Sequence, residues 1–189
     1  MHLNESDKKE LLQIARHTLE KYLAGNSIQE IKSLSPVLLQ KTGAFVTLHK
    51  QGELRGCIGH LISDGPLWQT IKQMAISAAV EDSRFDPVTF DELSEIDLEI
   101  SVLTPFKKIQ DLDEIEVGKH GLLITQGRHR GLLLPQVAAE QAWNREEFLT
   151  HTCIKAGLAP EAWMDPSTQI EIFSAQVFGE KTSPHPSPS

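Results

Sequence analysis

The amino-acid sequence predicts an α+β fold: one compact domain whose mixed, largely antiparallel sheet of about six strands is flanked by three or four helices. Three patterns support this class: an amphipathic first helix, a tight hairpin around Gln51-Gly52, and a cleanly alternating strand over residues 96–102. A chain of 189 residues falls in the single-domain range and is long enough to bury a core. We expect residues 1–180 to form this domain, and residues 181–189, mostly Ser and Pro, to bury too little surface to fold.

The composition argues against several classes of protein. A formal net charge of −8 disfavours the basic surface that grips phosphate backbones, so RNA binding is the weakest functional hypothesis. No stretch approaches the ~20 apolar residues that span a bilayer, and the N-terminal residues lack an apolar signal core. Cys57 and Cys153 are too few for a disulfide scaffold. We therefore expect a reduced, cytoplasmic protein with no membrane partner.

Three helices are indicated by their boundary signals. The first covers residues 6–24, where apolar side chains recur at helical spacing and the pattern stops at Gly25. A second follows the Asp-Gly-Pro sequence at residues 64–66, whose first two residues are the N-cap candidates and whose proline suits the first turn. Asn144, with a Glu three residues later, resembles a capping box and predicts a helix that ends at Gly157.

The strands are predicted from alternation and turn chemistry. Residues 96–102 alternate, with the four apolar side chains facing inward. Residues 121–126 and 130–135 form a hairpin around Gly-Arg-His, and residues 169–178 form a last strand.

The hairpin around Gln51-Gly52 is the centre of the prediction, because its second strand crowds two glycines, a cysteine and an arginine into six residues. Glycine in a strand usually marks a bulge or a close approach of something to the backbone. A two-residue turn fixes the register and places Arg55 and Cys57 on one face. The expected pairs are Lys50 with Glu53, His49 with Leu54, Leu48 with Arg55, and Val46 with Cys57.

The hexapeptide LRGCIG at residues 54–59, followed by Asp-x-Arg-Phe at residues 82–85, resembles a known family. It is the family of AMMECR-type domains, named from the Alport syndrome, mental retardation, midface hypoplasia and elliptocytosis chromosomal region. The sequence resembles in particular its prokaryotic branch, the AmmeMemoRadiSam system protein A. Further blocks extend the resemblance over nearly the whole chain, at residues 101–105, 117–122, 131–138 and 153–158.

The resemblance implies a fold with two subdomains around a cleft, but it supplies no agreed reaction and no cofactor. It also implies a Memo-like protein and a radical SAM enzyme as partners. This chain lacks the CxxxCxxC motif, so it would not itself generate radicals. The leading hypothesis is an enzyme or an enzyme accessory that acts on a small or protein-borne substrate. The alternative is a non-catalytic interaction module that docks through the LRGCIG hairpin.

Cys57 is the candidate nucleophile, because a neighbouring guanidinium such as that of Arg55 favours the attacking thiolate. The alternative is a buried and inert thiol packed against Val46. Arg55 has two interpretations as well, since a buried guanidinium must be paired. It either contacts an internal carboxylate such as Asp82 or Glu99, or it awaits an anionic ligand.

His120 lies in a glycine-flanked loop that suits a general base, although a loop histidine can equally be merely solvated. Cys57 and His60 are three residues apart on a strand and point to opposite faces, so no metal site is predicted. With the resemblance, the candidate substrate contacts are Gly56, Gly59, Asp82, Arg84, Ser101 and Gln136.

Overall fold

The structure is a computed structural model of the chain, and it describes residues 2–28 and 35–181. Within these residues it contains four α-helices and eight β-strands, which confirms the α+β class. The chain divides into two units, Met1–Thr104 with Ala175–Ser189 and Pro105–Ser174, each with its own sheet. The predicted disordered tail lies outside the described residues, except for Lys181.

The first unit is built around a four-stranded sheet in the order β2-β1-β3-β8, in which every pair is antiparallel. Helices α1 and α2 cover one face of this sheet, with α2 on β1 and β2 and α1 on β3. The elements are α1 (Glu5–Leu23), β1 (Ala44–Lys50), β2 (Glu53–His60), α2 (Leu67–Val80), β3 (Ile96–Leu103) and β8 (Ala175–Gly179).

The two faces of this sheet differ in burial. On the helix-covered face six apolar side chains of β1 and β3 are almost completely buried: Ala44, Val46, Leu48, Leu98, Ile100 and Val102. This confirms the inward set predicted for β3. The alternating side chains on the opposite face are only half-buried. We call this opposite side the second face and define it by Phe45, Thr47, Cys57, Glu99 and Ser101.

The ends of α1 follow the sequence signals. Asn4 accepts from the Asp7 amide, and Asp7 accepts from the Asn4 amide, which completes a capping box. The helix stops before Gly25, whose φ of +70° few other residues adopt.

The start of α2 differs from the prediction. Pro66 is extended, with ψ of 150°, and forms the N-cap itself, so neither Asp64 nor Gly65 caps this helix. The amide of Leu67 instead donates to the Gln40 carbonyl at 2.9 Å. A backbone acceptor from the preceding segment thus replaces the side-chain cap.

The second unit has its own four-stranded antiparallel sheet in the order β4-β7-β5-β6. The capping box of Asn144 and Glu147 opens α4 as predicted, and Gly157 follows its end with φ of +74°. A core of aliphatic and aromatic side chains, with Phe148 and Leu149 at its centre, lies between α4 and the sheet. The elements are β4 (Lys107–Lys108), β5 (Gly121–Gln126), β6 (His129–Leu133), α3 (Pro135–Glu140), α4 (Arg145–Lys155) and β7 (Gln169–Phe173).

Two strand boundaries were predicted wrongly. The single strand expected over residues 169–178 divides at Ser174, with β7 in the second sheet and β8 in the first. Alternation has the same period on both sides of the break, so it cannot show that a strand changes sheets. His129 begins β6 opposite Gln126, which leaves a two-residue turn instead of three residues.

A charged contact closes the end of β8. The Arg16 guanidinium on α1 forms a bidentate ion pair with Glu180, with Nε 2.8 Å from Oε1, and donates from Nη2 to the Ile96 carbonyl at 2.7 Å. Glu180 also accepts the Leu98 amide at 2.9 Å. The pKa of Arg16 is raised, chiefly by the hydrogen bond to Glu180. This pair therefore joins α1, β3 and the chain that follows β8.

Two truncations test this contact. Deleting residues 182–189 is expected to leave the melting temperature essentially unchanged, because their composition gives them little to bury. Deleting residues 180–189 also removes Glu180 and leaves Arg16 without its carboxylate, so we expect a loss of about 1–3 kcal/mol, or roughly 3–8 °C. Thermal unfolding of both variants beside the full chain provides the measurement. Equal melting temperatures for the two truncations would contradict the role of Glu180.

Candidate functional site

The turn of the LRGCIG hairpin has the predicted geometry. Gln51 and Gly52 have φ of 53° and 85°, the left-handed pair that a type I′ turn requires. The two pairs nearest the turn, Lys50 with Glu53 and His49 with Leu54, are those predicted.

Beyond those pairs the register shifts by one residue. Leu48 lies opposite Gly56, and Thr47 lies opposite Cys57, so Arg55 is the extra residue of a bulge. The predicted pairs of Leu48 with Arg55 and of Val46 with Cys57 are therefore wrong. A bulge adds one residue without changing the apolar pattern visible in the sequence, which is why alternation did not reveal it.

The two glycines of the motif are explained by packing. A Cβ atom on Gly56 would lie 2.2 Å from the Ala78 carbonyl oxygen, so only glycine allows the last turn of α2 to approach β2 this closely. A Cβ atom on Gly59 would lie 2.3 Å from the Phe45 ring. Their assignment as substrate contacts stays a prediction.

Cys57 lies on the second face, half-buried, with its sulfur beside Thr47 instead of Val46. The Thr47 hydroxyl donates to Sγ across 3.3 Å. This hydroxyl donor holds the Cys57 side chain in one position. The structure thus removes the apolar neighbour on which the inert interpretation rested.

Asp82 fixes the backbone of Cys57. β2 is an edge strand, and the Cys57 amide, which points away from β1, donates to Asp82 Oδ2 at 2.9 Å. Asp82 is only 7% exposed, and its carboxylate accepts two side-chain bonds from Arg84, Nε to Oδ1 at 2.9 Å and Nη2 to Oδ2 at 2.7 Å. The Arg84 guanidinium, followed by the Cys57 amide, holds the pKa of Asp82 well below its usual range despite burial.

Arg84 completes this arrangement from the other side. Its Nη2 lies 3.4 Å from the Cys57 carbonyl oxygen, so both backbone groups of Cys57 have a partner in the Asp-x-Arg segment. We call the contacts of Asp82 and Arg84 with Cys57 the edge clamp. It explains in physical terms why the LRGCIG and Asp-x-Arg-Phe sequences occur in one protein, since the second satisfies the exposed edge of the first.

Arg55 forms an internal ion pair. Its Nε and Nη2 donate to Glu92 at 2.8 and 3.0 Å, and its Nη1 donates to the Asp86 carbonyl at 2.9 Å. Both charged side chains are only 16% exposed. The carboxylate partner is therefore Glu92, and the partners suggested from sequence, Asp82 and Glu99, are wrong.

Glu92 is held in its ionised form by this pair. The Arg55 guanidinium, helped by Lys50 at 3.2 Å, lowers its pKa to about 2. A depressed pKa in the folded state means that the pair stabilises the fold above the ordinary pKa of a glutamate. This contribution is lost as the pH falls from about 4.5 towards 2.

Replacing Arg55 by Met tests the ion pair. The change keeps an apolar stem but leaves Glu92 with Lys50 as its remaining side-chain partner, so we expect unfolding to cost about 1–3 kcal/mol less. Chemical denaturation measures this loss. The double variant Arg55→Met with Glu92→Met strands no charge and should recover part of it. Unchanged or higher stability of the single variant would instead indicate an unpaired, ligand-facing guanidinium.

The remaining predicted residues divide between the units. Ser101 lies on the second face, opposite Phe45 on one side and Val177 on the other. His120 and Gln136 belong to the second unit. The His120 ring accepts the Glu116 amide at 3.1 Å, and Gln136 is the exposed second residue of α3. The structure brings together Arg55, Cys57, Asp82 and Arg84 along β2. The roles expected of His120 as a general base and of Gln136 as a substrate contact stay predictions.

Sequence reasoning missed Thr47 and Glu92. Thr47 was hidden by the bulge, since the assumed register placed Val46 beside Cys57. Glu92 lies 37 positions from Arg55, in the short 3-10 helix Asp91–Glu95, where no periodic pattern marks its partner. The glycines within β2 were the one signal in the sequence that could have indicated a register shift against β1, because glycine inside a strand often marks a bulge.

Other features of the described residues lie apart from this cluster. No group of three or more His, Cys, Asp or Glu side chains among them is arranged to hold a metal ion. None of the described helices combines the length and the apolar character needed to cross a bilayer. A surface groove of about 700 Å³ between α1 and the end of β8 contains none of the predicted site residues.

The AMMECR1 family model matches residues 12–178. The chain belongs to the AMMECR1 family. Among its relatives is Protein Mbar_A1807 of Methanosarcina barkeri, which is 46% identical over 188 residues, covering 95% of this chain and 93% of the relative. Protein PF1979 of Pyrococcus furiosus is 44% identical, with coverages of 90% and 87%.

A solved structure shows the same fold. The crystal structure of uncharacterized protein PH0010 from Pyrococcus horikoshii matches with a TM-score of 0.76 and 39% identity, covering 95% of this chain and 94% of that one. The family resemblance seen in the motifs is thus confirmed. Membership of the AmmeMemoRadiSam branch stays a prediction.

Proposed function

We propose that this AMMECR1-family protein is an enzyme or an enzyme accessory whose Cys57 thiol contacts a small or protein-borne substrate. One observation carries the proposal: the sulfur and both backbone groups of Cys57 are each held by separate side chains, while the residue itself stays partly exposed. Groups that bind or react with a substrate must be held within a fraction of an ångström, and supporting hydrogen bonds provide that precision.

The surrounding residues support this role indirectly. Asp82 is a buried carboxylate, and Arg55 is held by Glu92, so several charged groups are placed along one strand that carries the thiol. Burying charged groups costs free energy that well-packed apolar residues at the same positions would not cost. Such an arrangement is typical of a position where geometry matters more than stability.

A non-catalytic interaction module is the second candidate, and the exposure of Leu54 favours it. This leucine is 41% exposed near the hairpin turn and offers an apolar contact to a partner. The edge clamp argues against docking by strand addition at Cys57, because its amide and carbonyl already have partners. A docking partner would therefore contact the turn or the second face.

The proposed setting follows from the family resemblance. We place the protein in the cytoplasm, beside a Memo-like protein and a radical SAM enzyme. If either protein binds over the second face, its presence should slow chemical modification of Cys57.

Alkylation under native conditions tests the role of Cys57, and Cys153 serves as an internal control. Cys153 is fully buried, and burial raises the pKa of its thiol, so it should react only after unfolding. Iodoacetamide should therefore modify one thiol per native chain, assigned to Cys57 by peptide mapping, and two thiols in denaturant. In a second series, the alkylation of Cys57 is measured in the presence of purified Memo-like protein or radical SAM enzyme.

The proposal is contradicted if Cys57 in the native protein is alkylated much more slowly than an exposed thiol. Faster modification of Cys153 than of Cys57 would contradict it equally. Modification of Cys57 that the partner proteins leave unchanged would count against the proposed partners and leave the role of the thiol intact.

A further inference from the structure

We propose that Arg84 is an anion-binding residue beside Cys57, so that the substrate carries a carboxylate or a phosphate group. This inference rests on the proposed function of Cys57 and names the chemical class of its substrate. It is carried by the orientation, the exposure and the unused donors of the Arg84 guanidinium.

The guanidinium is held in one orientation. Asp82 accepts from Nε and Nη2 with two bonds of 2.9 and 2.7 Å, and the Arg84 amide adds a third at 3.2 Å. The guanidinium carbon lies 5.4 Å from the centre of the Phe85 ring, a cation–π contact on one side of the plane. A fixed arginine loses less conformational entropy when it binds a ligand than a freely moving one does.

The same guanidinium keeps donors for a ligand. Within residues 2–28 and 35–181, its Nη1 donates to no protein atom, and the Arg84 side chain is 55% exposed. Arginine offers a planar fork of N–H groups that fits carboxylate and phosphate oxygens. By contrast, all three donating nitrogens of Arg55 already have protein acceptors.

Arg84 is close enough to act on a substrate at Cys57. Nη2 is 3.4 Å from the Cys57 carbonyl oxygen, and the sulfur of one residue lies within about 5 Å of its own carbonyl oxygen, so the two groups are within about 8 Å. The pKa of Arg84 is raised mainly by its hydrogen bond to Asp82. A substrate spanning both groups would need only a few bonds between its anion and its reacting atom.

The net charge of the protein does not itself favour anionic reagents at Cys57. A protein with net charge −8 repels anions at long range, and Asp82 offsets part of the charge of Arg84. Any preference for an anionic reagent at Cys57 must therefore come from donors near the sulfur.

Two alkylating reagents of similar size measure this preference. Iodoacetate carries a carboxylate and iodoacetamide does not, so the ratio of their rate constants at Cys57 reports the local attraction of anions. We expect Arg84→Gln to lower this ratio roughly two- to fourfold. Lys9→Gln, an exposed change on α1 with the same loss of charge, is the matched control and should leave the ratio nearly unchanged.

A salt series with the unaltered protein keeps the test independent of the variant's folding. Attraction by Arg84 predicts a ratio that falls as ionic strength rises from about 0.02 to 0.5 M, whereas repulsion by the net charge predicts a rise. Arg84→Lys keeps the charge without the fork, so its ratio should lie between those of the parent and Arg84→Gln. Protection of Cys57 from iodoacetamide by inorganic phosphate or by acetate distinguishes the two anion types.

The outcomes separate the two proposals. No reaction of Cys57 with either reagent overturns the proposed function itself. Reaction with both reagents, with a ratio that rises with salt and is equal in the parent and Arg84→Gln, overturns the role of Arg84 alone.

Discussion

The hydrogen bond from the Cys57 amide to the buried Asp82 carboxylate is the constraint on which the arrangement of the first unit's motifs depends. An edge strand leaves every second amide without a strand partner, and a buried carboxylate requires several donors. The Cys57 amide gains an acceptor and the Asp82 carboxylate gains a donor, and Arg84 donates a further hydrogen bond to the same carboxylate. The contact is possible because Gly56 lets the last turn of α2 approach β2, which brings Asp82 beside the strand.

The same edge is held at a second point by Arg55. Its ion pair with Glu92 and its bond to the Asp86 carbonyl attach the segment after α2 to the bulge, two residues before Cys57. Both backbone groups of Cys57 are thus occupied, whereas its side chain, which accepts from Thr47, stays half-buried on the second face. A residue with a satisfied backbone and an accessible side chain is better suited to contact a ligand than to pair with another strand.

Local signals predicted much of this fold. The left-handed Gln51-Gly52 turn, the capping box at Asn144 and the inward side of β3 each depend on residues a few positions apart, and all three agree with the structure. The register at Cys57, the partner of Arg55 and the division of the last strand at Ser174 did not follow from the sequence. Each is decided by tertiary packing: the approach of α2, an ion pair across 37 positions, and the passage of the chain between sheets.

Amide hydrogen exchange at Cys57 tests the edge clamp most directly. Gly59 is the matched control, since its amide lies on the same edge of β2 two residues away, and no described side chain accepts from it. The clamp predicts that the Cys57 amide exchanges at least roughly tenfold more slowly than that of Gly59, and that Asp82→Asn reduces the difference. Equal and rapid exchange of the two amides in the parent protein would contradict it.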